Sequence, residues 1–351
     1  ARAFTLLLAG GFLSLAQATH DSERQRLRVP DMWSRGGRVR ERAVAVALLV
    51  LALGVWQWRG ALGLRPNRAD LQAALGASRE TAHFVIYYDA SSAAARNIDL
   101  IADDHEFRYA QVREFFGFHV GRKIGSYVYP DAGTKQRLMG AKDAHMADPF
   151  NREMHLNYRD FPHASLKHEI AHVFTGELHP LMKVSRAPGL VEGVAVAAAW
   201  DEGRLTAHQW AKAMRELDML PDVTDLMSLR GFWRTSAARS YVTSGSFVRW
   251  LRDVHGAEAL ATTYPFGRFE AHYGSSLVAL RDEWLTFLDG VALSDGDKEE
   301  ARRRFARGSV FQRDCAHTLA NIEDQAWASY YSGDYAGARR GFERVAAIEP
   351  A

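Results

Sequence analysis

The chain of 351 residues has a single cysteine, Cys315, so no disulfide can form within it. That excludes the stapled small-domain class. It does not exclude an extracytoplasmic location, because a chain of this length can bury a core without staples. A dominant charge is also missing: 44 Lys and Arg stand against 42 Asp and Glu, a formal net charge of +2. No nucleic-acid partner follows from that balance, the more so because arginine is concentrated in one short segment. With 47% hydrophobic and 25% charged residues, the composition is that of a folded protein with one large or two medium domains plus appendages. The chain begins at Ala1 and ends at Ala351, directly after Pro350, and is expected to be a piece of a longer protein.

What is present centres on His168-Glu169-Ile170-Ala171-His172, an H-E-x-x-H sequence in a segment that reads as helical. Four residues make slightly more than one turn, so the two imidazoles share a face and can bind one metal ion with Glu169 beside them. Imidazole suits Zn²⁺, and a catalytic zinc takes three protein ligands and an open position for water. A third ligand is therefore expected downstream. The best candidate is Glu192, in Pro188-Gly189-Leu190-Val191-Glu192-Gly193-Val194-Ala195. Pro and Gly mark a helix start, and the apolar run to Trp200 predicts a buried helix, where a carboxylate needs a partner. H-E-x-x-H alone also arises in ordinary helices, so the motif and the later Glu carry the reading together.

This combination, His168-Glu169-x-x-His172 followed by Glu192-Gly193-x-Ala195, resembles the gluzincin metallopeptidases, and more narrowly the bacterial peptidase MA-like domains, over roughly residues 80–290. The resemblance implies that His168, His172 and Glu192 are zinc ligands and that Glu169 is the general base. It also implies an oxyanion donor from the later helical region. Tyr241, in Tyr241-Val242-Thr243-Ser244-Gly245, is the candidate, with a packed core tyrosine as the alternative. The G-x-M-E-N exopeptidase motif of M1 aminopeptidases is absent, so aminopeptidase activity is not implied. The metzincin pattern fails as well, because Thr175 and Leu178 stand where it requires Gly and His.

Taken in order, residues 3–18 are apolar and end in Ala16-Gln17-Ala18, which fits a transmembrane helix over 1–18 or a signal peptide with an A-x-A cleavage site. A second uncharged run, Ala43 to Trp58, lies between Arg42 and Arg59 and predicts a span over 43–60, with Trp56 and Trp58 at the interface. Between the runs stand Arg24, Arg26, Arg28, Arg35, Arg38, Arg40 and Arg42. The positive-inside rule places that 19–42 loop in the cytoplasm and the rest of the chain on the extracytoplasmic side of the membrane. A cleaved signal would reverse this.

A linker over 61–78 precedes a zincin-like domain over 79–292. Strands are expected at His83 to Tyr88, Ile124 to Tyr129 and Arg152 to Tyr158, with a long helix over Ser91 to Phe116. The third strand is expected at a sheet edge, where extended substrate could pair with it, or else is an ordinary edge. The metal helix should run from Ala164 to about Thr175, with Gly176 ending it. His163, five residues before His168, falls off the metal face; His145, His155 and His179 read as surface or loop histidines, with contact to substrate by one of them as the alternative, and Gly140 to Asn151 as a polar loop. Helices follow at His208 to Leu220, Ala238 to Val254, Ser275 to Leu288 and Lys298 to Ala306. The fold class is thus α+β, a small mixed sheet with the H-E-x-x-H helix and then a helical subdomain. Residues 293–319 form a helical connector, in which Cys315 and His317 do not amount to a zinc site. Over 320–351, Gly333-Asp334-Tyr335, Ala338, Phe342 and Pro350, with Ala326 upstream, resemble a tetratricopeptide repeat that either caps the domain or continues into further repeats and a protein partner.

The expected function is a membrane-anchored, zinc-dependent metallopeptidase acting on a peptide or protein. Two rivals remain: an inactive peptidase-like binding module of the cell envelope, and a zinc hydrolase of a non-peptide amide or ester.

Overall fold

The computed structural model describes residues 20–21, 26–27, 39–57, 68–158, 163–179, 182–200, 204–305, 326, 329–330 and 332–348. They belong to two compact units, one of Ala1–Ala77, Asp89–Ser91 and Tyr129–Asp143, the other of Ser78–Tyr88, Ser92–Val128 and Ala144–Ala351.

In the first unit, β1 (His20–Asp21) and β2 (Arg26–Leu27) form an antiparallel pair. Helix α1 runs Val39–Gln57, α2 (Arg68–Leu75), in what the sequence reads as linker, buries Leu71 and Leu75, and α5 (Ala132–Met139) belongs to the same unit. The expected span over 43–60 is corrected here: among the described residues, no helix is long and apolar enough to cross a membrane. The 19 residues of α1 include Arg40, Glu41 and Arg42. The uncharged remainder, Ala43 to Gln57, rises only about 22 Å at ~1.5 Å per residue, against a hydrocarbon core of about 30 Å. The membrane-anchored, extracytoplasmic placement loses its support with that span. The expected span or signal at 1–18, and most of the arginine loop, lie outside the described residues.

The second unit is built on a five-stranded sheet in the order β3-β4-β5-β7-β6, with β3 at Gly76–Glu80, β4 at Phe84–Asp89, β5 at Ile124–Tyr129, β6 at Met146–Asp148 and β7 at Glu153–Asn157. β4 and β5 are parallel, Phe84 pairing with Ile124 and Tyr88 with Val128, so the chain must cross over between them. The crossover is α3 (Ala93–Arg96) and α4 (Ile98–Phe116), a helix pair broken at Asn97 where the sequence predicts one helix. Gly117, at φ 77°, ends α4 in the left-handed conformation that glycine adopts without a Cβ penalty. Phe84 and Ile86 of β4, Ile124 of β5, Met154 and Leu156 of β7, and Tyr109 and Val112 of α4 meet in one core.

β7 is not the edge strand. β6 pairs with it antiparallel, Met146 to His155 and Asp148 to Glu153, and takes the outer position. β6 is three half-buried residues inside the expected polar loop, and its backbone pairing leaves no side-chain alternation for sequence reading to detect.

The rest of the unit is helical: α6 (Leu166–Thr175), α7 (Pro188–Ala198), α8 (Ala207–Glu216), α9 (Val223–Leu226), α10 (Leu229–Arg234), α11 (Ala237–His255), α12 (Ala257–Thr263), α13 (Phe269–Tyr273), α14 (Leu277–Asp289) and α15 (Asp295–Phe305). The start of the expected connector is packed rather than free. Phe305 of α15 is fully buried with Trp210 and Met214 of α8, and Arg204 pairs with Asp297 at 2.8 Å. Cys315 and His317 lie outside the described residues. At the C-terminus, α16 (Tyr335–Ile348) crosses buried Ala326 at Gly341, where an added Cβ would stand 2.6 Å from the Ala326 Cβ. Ala338 is buried too, so the crossing is lined by small residues.

Candidate metal centre

α6 carries the H-E-x-x-H residues because its apolar side, Leu166, Ile170, Val173 and Phe174, packs into the main core and leaves His168 and His172 together on another face. The helix ends at Gly176, whose φ of −61° is ordinary. Glycine is required there for closeness, since a Cβ would lie 2.9 Å from Pro149. α7 starts at Pro188, whose missing N–H costs nothing at the first position. Its Gly193 lets it lie directly on α11: a Cβ there would be 2.9 Å from the Ser244 carbonyl oxygen and from Val248. From the other side, a Cβ on Gly245 would be 2.6 Å from that of Val196. This close crossing fixes the height and rotation of Glu192, one residue before Gly193.

The result is a convergence of three donors. The Nε2 atoms of His168 and His172 are 3.1 Å apart, and each lies 3.5 Å from Oε2 of Glu192. Among the described residues, this is the one group of three or more His, Cys, Asp or Glu side chains whose donors come together closely enough to hold a metal ion. Ligand atoms about 2.0–2.2 Å from a tetrahedral ion lie roughly 3.3–3.6 Å from one another, and the triangle seen here is that size to within a few tenths of an ångström. All three side chains are mostly but not wholly covered. For the Glu192 carboxyl, burial pushes its pKa up, but the two facing imidazoles outweigh this and bring it to about 2. The donors are thus an anionic oxygen and two imidazole nitrogens, a set that fits a divalent cation.

Glu169, beside His168, is 5% exposed. Tyr241, in the first turns of α11, stacks its ring nearly parallel to His168 at 6.4 Å between centroids, with Phe232 of α10 behind it at 5.8 Å. Burial, then the carboxylates of Glu192 and Glu169, push the Tyr241 hydroxyl pKa well above its ordinary value. His168, His172 and Glu192 thus meet with the Tyr241 ring beside His168, and Glu169 is the next residue of the same helix, its charge felt by Tyr241.

The four other histidines do not join them. His155 and His179 are buried rather than at the surface, and His163, off the metal face, is buried too: His163 Nε2 is 3.0 Å from the Asn157 carbonyl oxygen, and His179 Nδ1 accepts the Met182 N–H. His145 packs against His163. Two neighbours carried no sequence signal. Thr175 donates its hydroxyl to the His172 carbonyl at 2.8 Å. Tyr264 is fully buried, its hydroxyl pushed up to about 12 by burial, with the Glu192 charge contributing. Both are single residues outside any motif.

No known protein-family model matches the chain, and no curated protein matches it. The functional reading therefore rests on the residues themselves.

Proposed function

We propose that the protein is a zinc-dependent hydrolase, most specifically a metallopeptidase, with His168, His172 and Glu192 holding the ion. The observation that carries this reading is the donor triangle of 3.1, 3.5 and 3.5 Å, close to the face of a zinc tetrahedron and next to a buried glutamate. Zinc held there would supply a Lewis acid that lowers the pKa of water toward ~7.

The protein's own groups then divide the work. Glu169 takes the proton of the attacking water on a carboxylate oxygen and delivers it to the leaving amine nitrogen, acting as base and then as acid. The Tyr241 hydroxyl, held protonated by burial and by two carboxylates, donates a hydrogen bond to the carbonyl oxygen as it gains negative charge. A protonated hydroxyl suits that donor role. Glu169→Gln keeps the side-chain volume and removes the proton acceptor, so it should retain metal and lose turnover of a peptide substrate. Activity at the wild-type level in Glu169→Gln would remove the proposed role.

A further inference from the structure

Beyond the metal ligands, α7 has a second feature at its start. The loop Pro265–Arg268 is clasped to the residues that open the helix: the Arg186 N–H donates to the Pro265 carbonyl at 3.3 Å, and Gly267 packs on Ala187 and Leu190. Gly267 takes φ 64°, a left-handed turn that suits glycine and carries the chain from Phe266 to Arg268. The guanidinium groups of Arg186 and Arg268 both lie 5.3 Å from the centre of the Phe266 ring. Neither is ion-paired among the described residues. These groups line a cavity of about 730 Å³ whose remaining walls include Met227, Phe269 and Leu277, with Glu270 as its single carboxylate.

We infer that this cavity is a binding site for a carboxylate attached to an apolar body. Two exposed guanidinium groups gathered at one ring, with no ion pair among the described residues, supply N–H donors and positive charge to an anion bound beside Phe266. Contact with the Phe266 ring limits the freedom of both side chains, and a guanidinium offers a fork of N–H groups that matches a carboxylate. The apolar walls take the rest of the ligand, and the volume falls within the range of small-molecule sites. Ala187 lines the cavity and caps α7, and Glu192 follows five residues later, about 7–8 Å along the helix. An extended peptide covers that distance in two or three residues. Resting on the hydrolase reading, the carboxylate would be the C-terminus of a peptide cut near its end. Independently of that reading, it would be a small free acid.

The test is isothermal titration calorimetry of the intact chain with 3-phenylpropionate and with 3-phenylpropionamide, which has the same body and no charge. The acid is expected to bind with a Kd of about a few mM, and the amide at least about tenfold more weakly. Arg186→Gln with Arg268→Gln should weaken the acid by about tenfold or more, while His168→Ala should leave its binding unchanged. Equal binding of acid and amide, acid binding that survives the double substitution, or acid binding lost in His168→Ala would each overturn the site. The amide comparison does so without any variant. Peptides with free and amidated C-termini separate the two sources. A preference of about tenfold in kcat/KM for the free terminus, lost in the arginine variant, assigns the site to substrate. Indifference to amidation with acid binding intact assigns it to a small acid. Acid binding in a protein that cleaves no peptide keeps the site and removes the hydrolase reading.

Discussion

Gly193 of α7 and Ser244 of α11 meet backbone to backbone, so closely that a methyl group on the glycine would stand 2.9 Å from the serine carbonyl oxygen. Glu192 is held in place by that contact. Gly193→Ala should therefore cost about 1–3 kcal/mol in denaturant unfolding and weaken metal binding together with it, because the helix must back away from α11. Gly121, where an added Cβ meets nothing within 4 Å, is the control, and Gly121→Ala should change neither. Unchanged stability and metal affinity in Gly193→Ala would mean that the crossing does not set the position of Glu192.

Tyr241 is expected to act through its hydroxyl rather than its ring. Tyr241→Phe keeps the stacking on His168 and Phe232 and removes only the donor. Metal content and KM should hold while kcat falls roughly 10²–10³-fold, the usual effect of deleting one oxyanion donor. A rise in KM at constant kcat would instead make the residue a substrate-binding group.

His105 and His208 make stability depend on pH. His105 is held between the Ile101 carbonyl and Ser126, and burial lowers its pKa from 6.5 to about 4. His208 faces Ser246, and burial, then the Arg249 charge, also lower its pKa to about 4. Because the folded values lie below the unfolded one, the unfolded chain takes up protons first as pH falls. Their contribution is therefore complete above about pH 6.5 and is lost between there and about pH 4, by up to about 3 kcal/mol for each residue. Denaturant unfolding of wild type and His208→Gln at pH 7.5 and pH 5 should show a smaller drop in the variant. Equal drops would contradict a buried neutral His208.

How far the sequence could be read depends on whether side chains or backbone carry the information. β5, α6, α7 and α11 sit close to where periodicity and punctuation place them, and His168, His172 and Glu192 meet because helical spacing and a single close crossing are written in residue types. β6 escaped because three residues paired by backbone alone leave no alternation, and with it β7 passed from edge to interior. α1 misled for a different reason. An uncharged apolar run looks like a membrane span until the length of its helix and the charges at its start are counted. The pair Arg186 and Arg268 lies 82 positions apart in the chain and belongs to no motif, so only the fold brings it to one ring.

If His168, His172 and Glu192 hold one metal ion, the bound metal must depend on each of them. The most direct test is the metal content of the purified protein by mass spectrometry, wild type beside His168→Ala and Glu192→Ala, with circular dichroism to establish that each is folded. One zinc per wild-type chain is expected, and none in either variant. A folded wild type without bound metal, or variants that keep it, would mean that these three side chains are not the ligands.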